Sequence, residues 1–142
     1  MKNTIPSVEI LVFKDSQVLL VREGEKSGHL TGIYGLPGGR FNEGESEKQV
    51  AVRELDEETG LQVKEEDLIV YPNNVYYADI ERKDGTVKNF SMIVYIAQKY
   101  EGDLKSNDQT EPYWIEIDKL STYNLLPNCE KAIRDGLNFL KS

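Results

Sequence analysis

Two apolar runs near the start, VEILVF (8–13) and QVLLVR (17–22), flank the polar triplet Lys14-Asp15-Ser16 and predict a β-hairpin. The next segment, 23–35, holds four of the eleven glycines among polar residues and predicts an irregular loop. Pro37-Gly38-Gly39 then breaks any regular element and permits an unusual backbone path. Ser46 and Gln49 spell a capping box, S-x-x-Q, so a helix is predicted over 47–59 with Gly60 as its left-handed stop. Ala51, Val52 and Leu55 supply the apolar stripe of that helix. NVYYADIE (74–81) and TVKNFSMIVYIAQ (86–98) predict a second hairpin, turning at Lys83-Asp84-Gly85. A polar loop over 100–111 leads to a short strand, YWIEI (113–117). Residues 128–141 place Ala132, Ile133, Leu137 and Leu140 on one face of an amphipathic helix. Mixed strands and helices in this order predict an α/β (α+β) fold, a sheet covered by helices.

With 142 residues and neither repeats nor a linker, the chain reads as one domain, 1–142. Charge narrows the partners. Twenty-five acidic against 17 basic residues give a net charge of −8, which disfavours nucleic-acid polymers and anionic membranes. It leaves nucleotides open, because a bound divalent cation inverts the local field. The single cysteine, Cys129, forbids an intrachain disulfide and fits a reducing compartment. The opening MKNTIPSVEI is too short and polar for a secretory signal, and no apolar run reaches the length of a membrane span. A cytoplasmic location is expected.

Residues 39–61 carry the chemistry. Gly39, Glu45, Arg53, Glu54, Leu55, Glu57, Glu58, Gly60 and Leu61 follow the spacing G-x5-E-x7-R-E-L-x-E-E-x-G-L. On a helix, Glu54, Glu57 and Glu58 fall within roughly 100° of arc. Three carboxylates so close repel one another unless a hard cation holds them. A solvated acidic face is the ordinary alternative for a glutamate-rich helix. That alternative leaves the glycine turn, Glu45, Arg53 and the Gly60 stop unexplained.

This segment resembles the Nudix box at every defined position, and the flanking LPGGR and preceding hairpin are similar to Nudix proteins as well. The resemblance implies an α/β/α sandwich around a mixed sheet. It also implies hydrolysis of a diphosphate linkage in a nucleoside diphosphate derivative, with Mg²⁺ or Mn²⁺ as cofactor. Carried over by position, Glu54, Glu57 and Glu58 would be metal ligands, with the Gly39 carbonyl a further candidate; Glu54 would instead, or also, orient or deprotonate water. Arg53, four residues before Glu57, is expected to orient a carboxylate, the alternative being a surface ion pair. Glu45 would either join the metal site or favour the helix dipole. Arg40, beside the glycines, is a substrate-binding candidate.

Weaker candidates lie outside the box. Nudix proteins often carry a further acidic residue in a comparable loop; by that resemblance, resting on E-x-x-W, Glu111 ahead of Trp114 would act as a metal ligand or base, the alternative being a solvated loop glutamate. Tyr76 and Tyr77 resemble a tyrosine placed near there in Nudix subfamilies that cleave dinucleoside polyphosphates, which implies stacking on a base. Neighbours on a strand face opposite sides, so at most one can serve, and core packing is the competing role. Asn128, after Leu125-Leu126-Pro127, resembles the asparagine before the last helix of 8-oxo-dGTP-cleaving Nudix members, which implies pairing with a purine edge; the alternative is a simple cap of the last helix. His29 would contact phosphate or deprotonate water, with a solvated loop histidine as the alternative. Cys129 reads as a packing or surface residue. The favoured substrate is a (deoxy)nucleoside triphosphate, including oxidised ones; the alternatives are a dinucleoside polyphosphate, ADP-ribose or a nucleotide sugar. A catalytically silent nucleotide-binding regulator is a different class, but none of the box carboxylates is lost here. A structural Ca²⁺ loop of the D-x-D-x-D-G kind is absent from the sequence. The expected assembly is a monomer or homodimer.

Overall fold

The computed structural model describes residues 3–142; the first two residues of the predicted domain and of its polar opening segment lie outside the described residues. Strands β1 (Ile5–Lys14) and β2 (Gln17–Glu23) form the first hairpin, turning through Asp15 at φ 54°. β3 (Tyr34–Gly35) and β4 (Gly38–Arg40) follow, then helix α1 (Glu47–Thr59). After β5 (Leu68–Ile69), strands β6 (Val75–Glu81) and β7 (Val87–Ala97) make the second hairpin. β8 (Thr110–Glu116) and helix α2 (Cys129–Lys141) complete the chain.

β1 is the hub of a mixed sheet. It runs parallel to β7 from Ile5↔Phe90 to Val12↔Ala97. On its other side it pairs first with β4 and then, past Phe13, with β2. β2 continues outward to β3 and β8. The switch of partner along β1 opens the sheet next to Gly38 and Gly39.

Helices cover both faces, giving the α/β/α arrangement. Val8, Ile10 and Val12 of β1 pack with Val50, Ala51 and Leu55 of α1. Leu11, on the opposite face, packs with Ala132 and Ile133 of α2. A central strand buried on both sides has no need of polar alternation, which explains the continuous apolar run ILV at 10–12.

Several boundaries differ from the sequence reading. β1 extends to residues 5–14 because β7 and β4 pair with its start. β8 begins at Thr110, so Glu111 lies on a strand rather than in the expected loop; its register with β2 organises this stretch despite its polarity. On α1, Val50 is fully buried and Val52 only partly, so the buried face is turned relative to the expected stripe. Among the described residues no helix is long and apolar enough to cross a membrane.

Candidate active site

The expected capping box is complete. The Ser46 hydroxyl accepts from the Gln49 N–H, and the Ser46 N–H donates to the Gln49 side chain. Gly60 closes the helix at φ 83°, its N–H returning to the Asp56 carbonyl. Both ends of α1 are thereby fixed, and so is the rotation of its acidic face. That face meets β4. The Gly38 N–H donates to Glu58 Oε1 at 2.7 Å, and a Cβ on Gly39 would lie 2.6 Å from the Glu54 carboxylate. Glycine is needed here for close approach.

Arg53 organises the carboxylates. Its Nε and Nη2 donate to the two Glu45 oxygens at 2.7 and 2.8 Å, and its Nη1 donates to Glu54 (2.7 Å) and Glu57 (3.2 Å). Nη2 also reaches the Arg40 carbonyl at 3.0 Å. Arg53 therefore does more than pair with Glu57: it joins the helix to the segment before it. Both Glu45 oxygens are engaged by Arg53, a contact named in neither of its two expected roles. That pairing and the Asn42 N–H hold Glu45 down at about 2. Burial pushes Glu54 up, partly offset by Arg53, and pushes Glu58 well above the usual carboxylate range.

Two connected hollows flank this cluster. A polar cleft of 290 Å³ is lined by Glu54, Glu57, Glu58 and Thr110. A largely apolar cavity of 120 Å³ lies towards α2, walled by residues such as Leu36, Phe90, Met92, Val94 and Leu126. Glu9, on the α2-facing side of β1, enters this cavity; the Ser7 hydroxyl donates to it at 2.6 Å, yet burial raises it to about 8. Glu23 lines both hollows and is raised by burial, and its Oε2 has no hydrogen-bond partner.

The outlying candidates separate. Arg40 lines the cavity with its guanidinium 5.4 Å over the Phe90 ring. Asn128 adopts φ 69° and makes no side-chain cap; its Nδ2 instead donates to the Tyr77 carbonyl at 2.8 Å, fixing the amide at the cavity wall. Tyr76 is buried, and its hydroxyl donates to Asp135 at 2.9 Å beside Tyr71, so it packs in the core with part of its surface on the cavity. Tyr77 points to solvent at 68% exposure. Glu111 does not line either hollow. Its carboxylate faces Arg22 and accepts from the Tyr113 hydroxyl, because strand alternation gives the cleft to Thr110 instead. His29 is not the solvated histidine of the alternative reading: it is largely enclosed, its Nδ1 is buried without a partner, and burial lowers it to about 4. Cys129 is buried, the packing residue expected.

Glu9, Glu23 and Arg82 were missed. Each sits in a strand or turn whose sequence reads as ordinary; the anomaly of a glutamate at position 9 inside an apolar run was the available signal.

Residues 3–135 match the NUDIX domain. The chain belongs to the Nudix hydrolase family. Among similar proteins, the ADP-ribose pyrophosphatase of Methanocaldococcus jannaschii is 32% identical over 134 residues, covering 94% of this chain and 73% of that protein. The oxidized purine nucleoside triphosphate hydrolase of Danio rerio is 32% identical over 111 residues, 78% of this chain and 65% of that protein. The MutT NUDIX hydrolase structure from Burkholderia pseudomallei superposes with a TM-score of 0.77 at 21% identity, covering 94% of this chain and 98% of that one. The MutT protein of Methanosarcina mazei Go1 gives 0.74 at 27% identity, with 99% and 98% coverage.

Nudix hydrolases generally use divalent metal ions, and the donor chemistry here fits one. The cleft offers hard carboxylate oxygens, two of them desolvated and one buried oxygen unpartnered, a set that a cation relieves. Among the described residues no group of three His, Cys, Asp or Glu side chains stands gathered around a common point. The side chains are instead held by Arg53 and the Gly38 N–H.

Proposed function

We propose that this Nudix hydrolase cleaves the phosphate chain of a (deoxy)nucleoside triphosphate, oxidised forms included, releasing pyrophosphate. The supporting observation is the joining of one small apolar cavity to one acidic cleft. The cavity's 120 Å³ is below the size that encloses a whole drug-sized ligand, so it suits a single base while the phosphates extend into the cleft.

Glu54, Glu57 and Glu58, with the Gly39 carbonyl, would hold Mg²⁺ or Mn²⁺. A divalent ion there supplies neutralisation of phosphate oxygens and acidification of water. Arg53 holds Glu54 and Glu57 in position, itself steered by Glu45. Burial raises the affinity of Glu54 and Glu58 for protons, which suits a carboxylate that accepts one from attacking water. Asn128 and Arg40 border the base. The 32% identity to an archaeal ADP-ribose pyrophosphatase across 94% of the chain favours a second reading, cleavage of ADP-ribose or a related sugar diphosphate.

A panel of nucleoside triphosphates, 8-oxo-purine triphosphates, ADP-ribose and diadenosine polyphosphates, with products separated, tests both. Pyrophosphate released from a triphosphate supports the first reading. Inertness towards every triphosphate alongside turnover of ADP-ribose transfers the assignment to the second.

A further inference from the structure

Five residues line both hollows: Glu23, His29, Gly38, Glu58 and Arg82. Two are carboxylates, one is a glycine, and His29 is neutral at physiological pH because burial and the neighbouring Arg82 and Arg40 lower it to about 4. Arg82 is the permanent cation of the set. It borders both hollows, beside any anion that spans them.

Arg82 is also held in place. It leads the turn after β6, with its N–H on the Thr86 carbonyl at 2.7 Å and its carbonyl accepting from Gly85. An isolated bridge pairs it with His29, and the Lys83 N–H donates to the Gly28 carbonyl at 3.0 Å. Lys83 Nζ adds bonds to the Gly24 and Glu25 carbonyls. The glycine-rich loop is thus tied to the turn that carries Arg82. Its guanidinium lies directly over Gly28, where a side-chain carbon would collide with Nη2. Among the described residues it makes no salt bridge, unlike Arg22, Arg53 and Arg134. Its charge acts on Glu23 and Asp84, but with no side-chain hydrogen bond or close ion pair among the described residues the guanidinium has donors to offer an anion.

We propose that Arg82 binds the phosphate chain of the substrate at the junction of the two hollows, and that Gly28 is the residue that leaves it room. This rests on the reading above that the base enters the apolar cavity and the phosphates the cleft. The ligand chemistry is a nucleoside carrying at least two phosphates; a bare nucleoside gains nothing from Arg82.

The test is calorimetric binding of ADP, GDP, adenosine and guanosine to the intact Mg²⁺-loaded protein, wild type, Arg82→Gln and Gly28→Ala. Arg82→Gln is expected to weaken the diphosphates about tenfold to a hundredfold, the range for one charge-assisted hydrogen bond, and to leave the nucleosides within about twofold. Gly28→Ala keeps every charge and sits at an ordinary φ, but displaces the guanidinium; it is expected to weaken the diphosphates about tenfold. Equal diphosphate binding by wild type and Arg82→Gln overturns the proposal, as does equal loss of diphosphate and nucleoside in a folded variant. Should Arg82→Gln fold poorly, Gly28→Ala decides alone. A wild type that binds diphosphates through Arg82 but releases no pyrophosphate from triphosphates retires the substrate reading and leaves the role of Arg82 standing.

Discussion

Arg53 and Glu45 face each other through two parallel charge-assisted hydrogen bonds, 2.7 and 2.8 Å long, while the third guanidinium nitrogen reaches Glu54 and Glu57. Glu45 thus acts on the acidic cleft through Arg53. Lysine has no planar fork and cannot reproduce this geometry. Arg53→Lys and Arg53→Gln are both expected to lower kcat about a hundredfold, and Glu45→Gln about tenfold. Because the two residues act as one unit, the double variant should lose little more than the Arg53 variant alone. Multiplying losses in steady-state kinetics would show them to be independent.

Gly39 and Glu54 test the close approach of β4 to α1. An alanine Cβ at 39 would stand 2.6 Å from the Glu54 carboxylate, and nothing in the Gly39 backbone forbids alanine. The carboxylate must therefore move. Gly39→Ala is expected to keep Tm within a few degrees of wild type while reducing turnover about tenfold or more and raising the Mg²⁺ concentration needed for half-activity. A Mg²⁺ titration at fixed substrate reads both effects.

How much of this was legible beforehand follows from the range of each interaction. The helix over 47–59, both its caps and the common helix face of Glu54, Glu57 and Glu58 are set by contacts within a few residues, and local spacing recovers them, whereas their carboxylates do not gather around one point. The two hairpins are likewise local. The parallel pairing of β1 with β7 spans about eighty residues, and the alternation that aims Glu111 away from the cleft depends on the register of β8 against β2. Neither is written in a short window. Glu9 and Arg82 join the site only through that long-range pairing, which is why no motif announces them. Asn128 was placed at the right position for a cap, but the left-handed backbone there turns its amide towards β6.

Metal should stabilise the fold as well as the reaction. Glu54 and Glu58 carry a desolvation penalty in the metal-free protein that a divalent ion offsets. Adding Mg²⁺ or Mn²⁺ to chelator-treated protein is expected to raise Tm by several degrees, since a ligand at a hundred times its Kd contributes about 2.7 kcal/mol. Glu58→Gln should raise the metal-free Tm, abolish most of the metal-induced rise and lower turnover at least about a hundredfold. Glu57, exposed at the rim, should give the same catalytic loss as Glu57→Gln without the gain in metal-free stability. Differential scanning fluorimetry with and without EDTA separates the two.

The pH dependence of the metal-free protein reports on its raised carboxyls, Glu9 among them. Its folded-state value of about 8 lies above the ordinary carboxylate range, so between those limits the folded protein keeps a proton that the unfolded chain has released. Stability from Glu9 is therefore fully present at low pH and is lost as pH rises towards 8. His29 works in the opposite sense. Lowered to about 4, it makes the protein less stable as pH falls from its ordinary value of 6.5, and contributes little change above it. Glu45, held at about 2, matters only below the usual carboxylate range. The window from pH 6.5 to 8 is therefore governed by the raised carboxyls. In EDTA, Tm is expected to fall by a few degrees across it, on the order of 1 kcal/mol. Glu9→Gln should make this limb shallower, the other buried carboxyls keeping part of it, and leave the acid limb unchanged. With Mg²⁺ present the limb should reverse, because the ion binds the deprotonated cleft carboxylates more tightly as pH rises. A Tm that is level from pH 6.5 to 8 in EDTA, and identical in Glu9→Gln, would show that Glu9 is ionised in the cavity and that its burial carries no energetic weight.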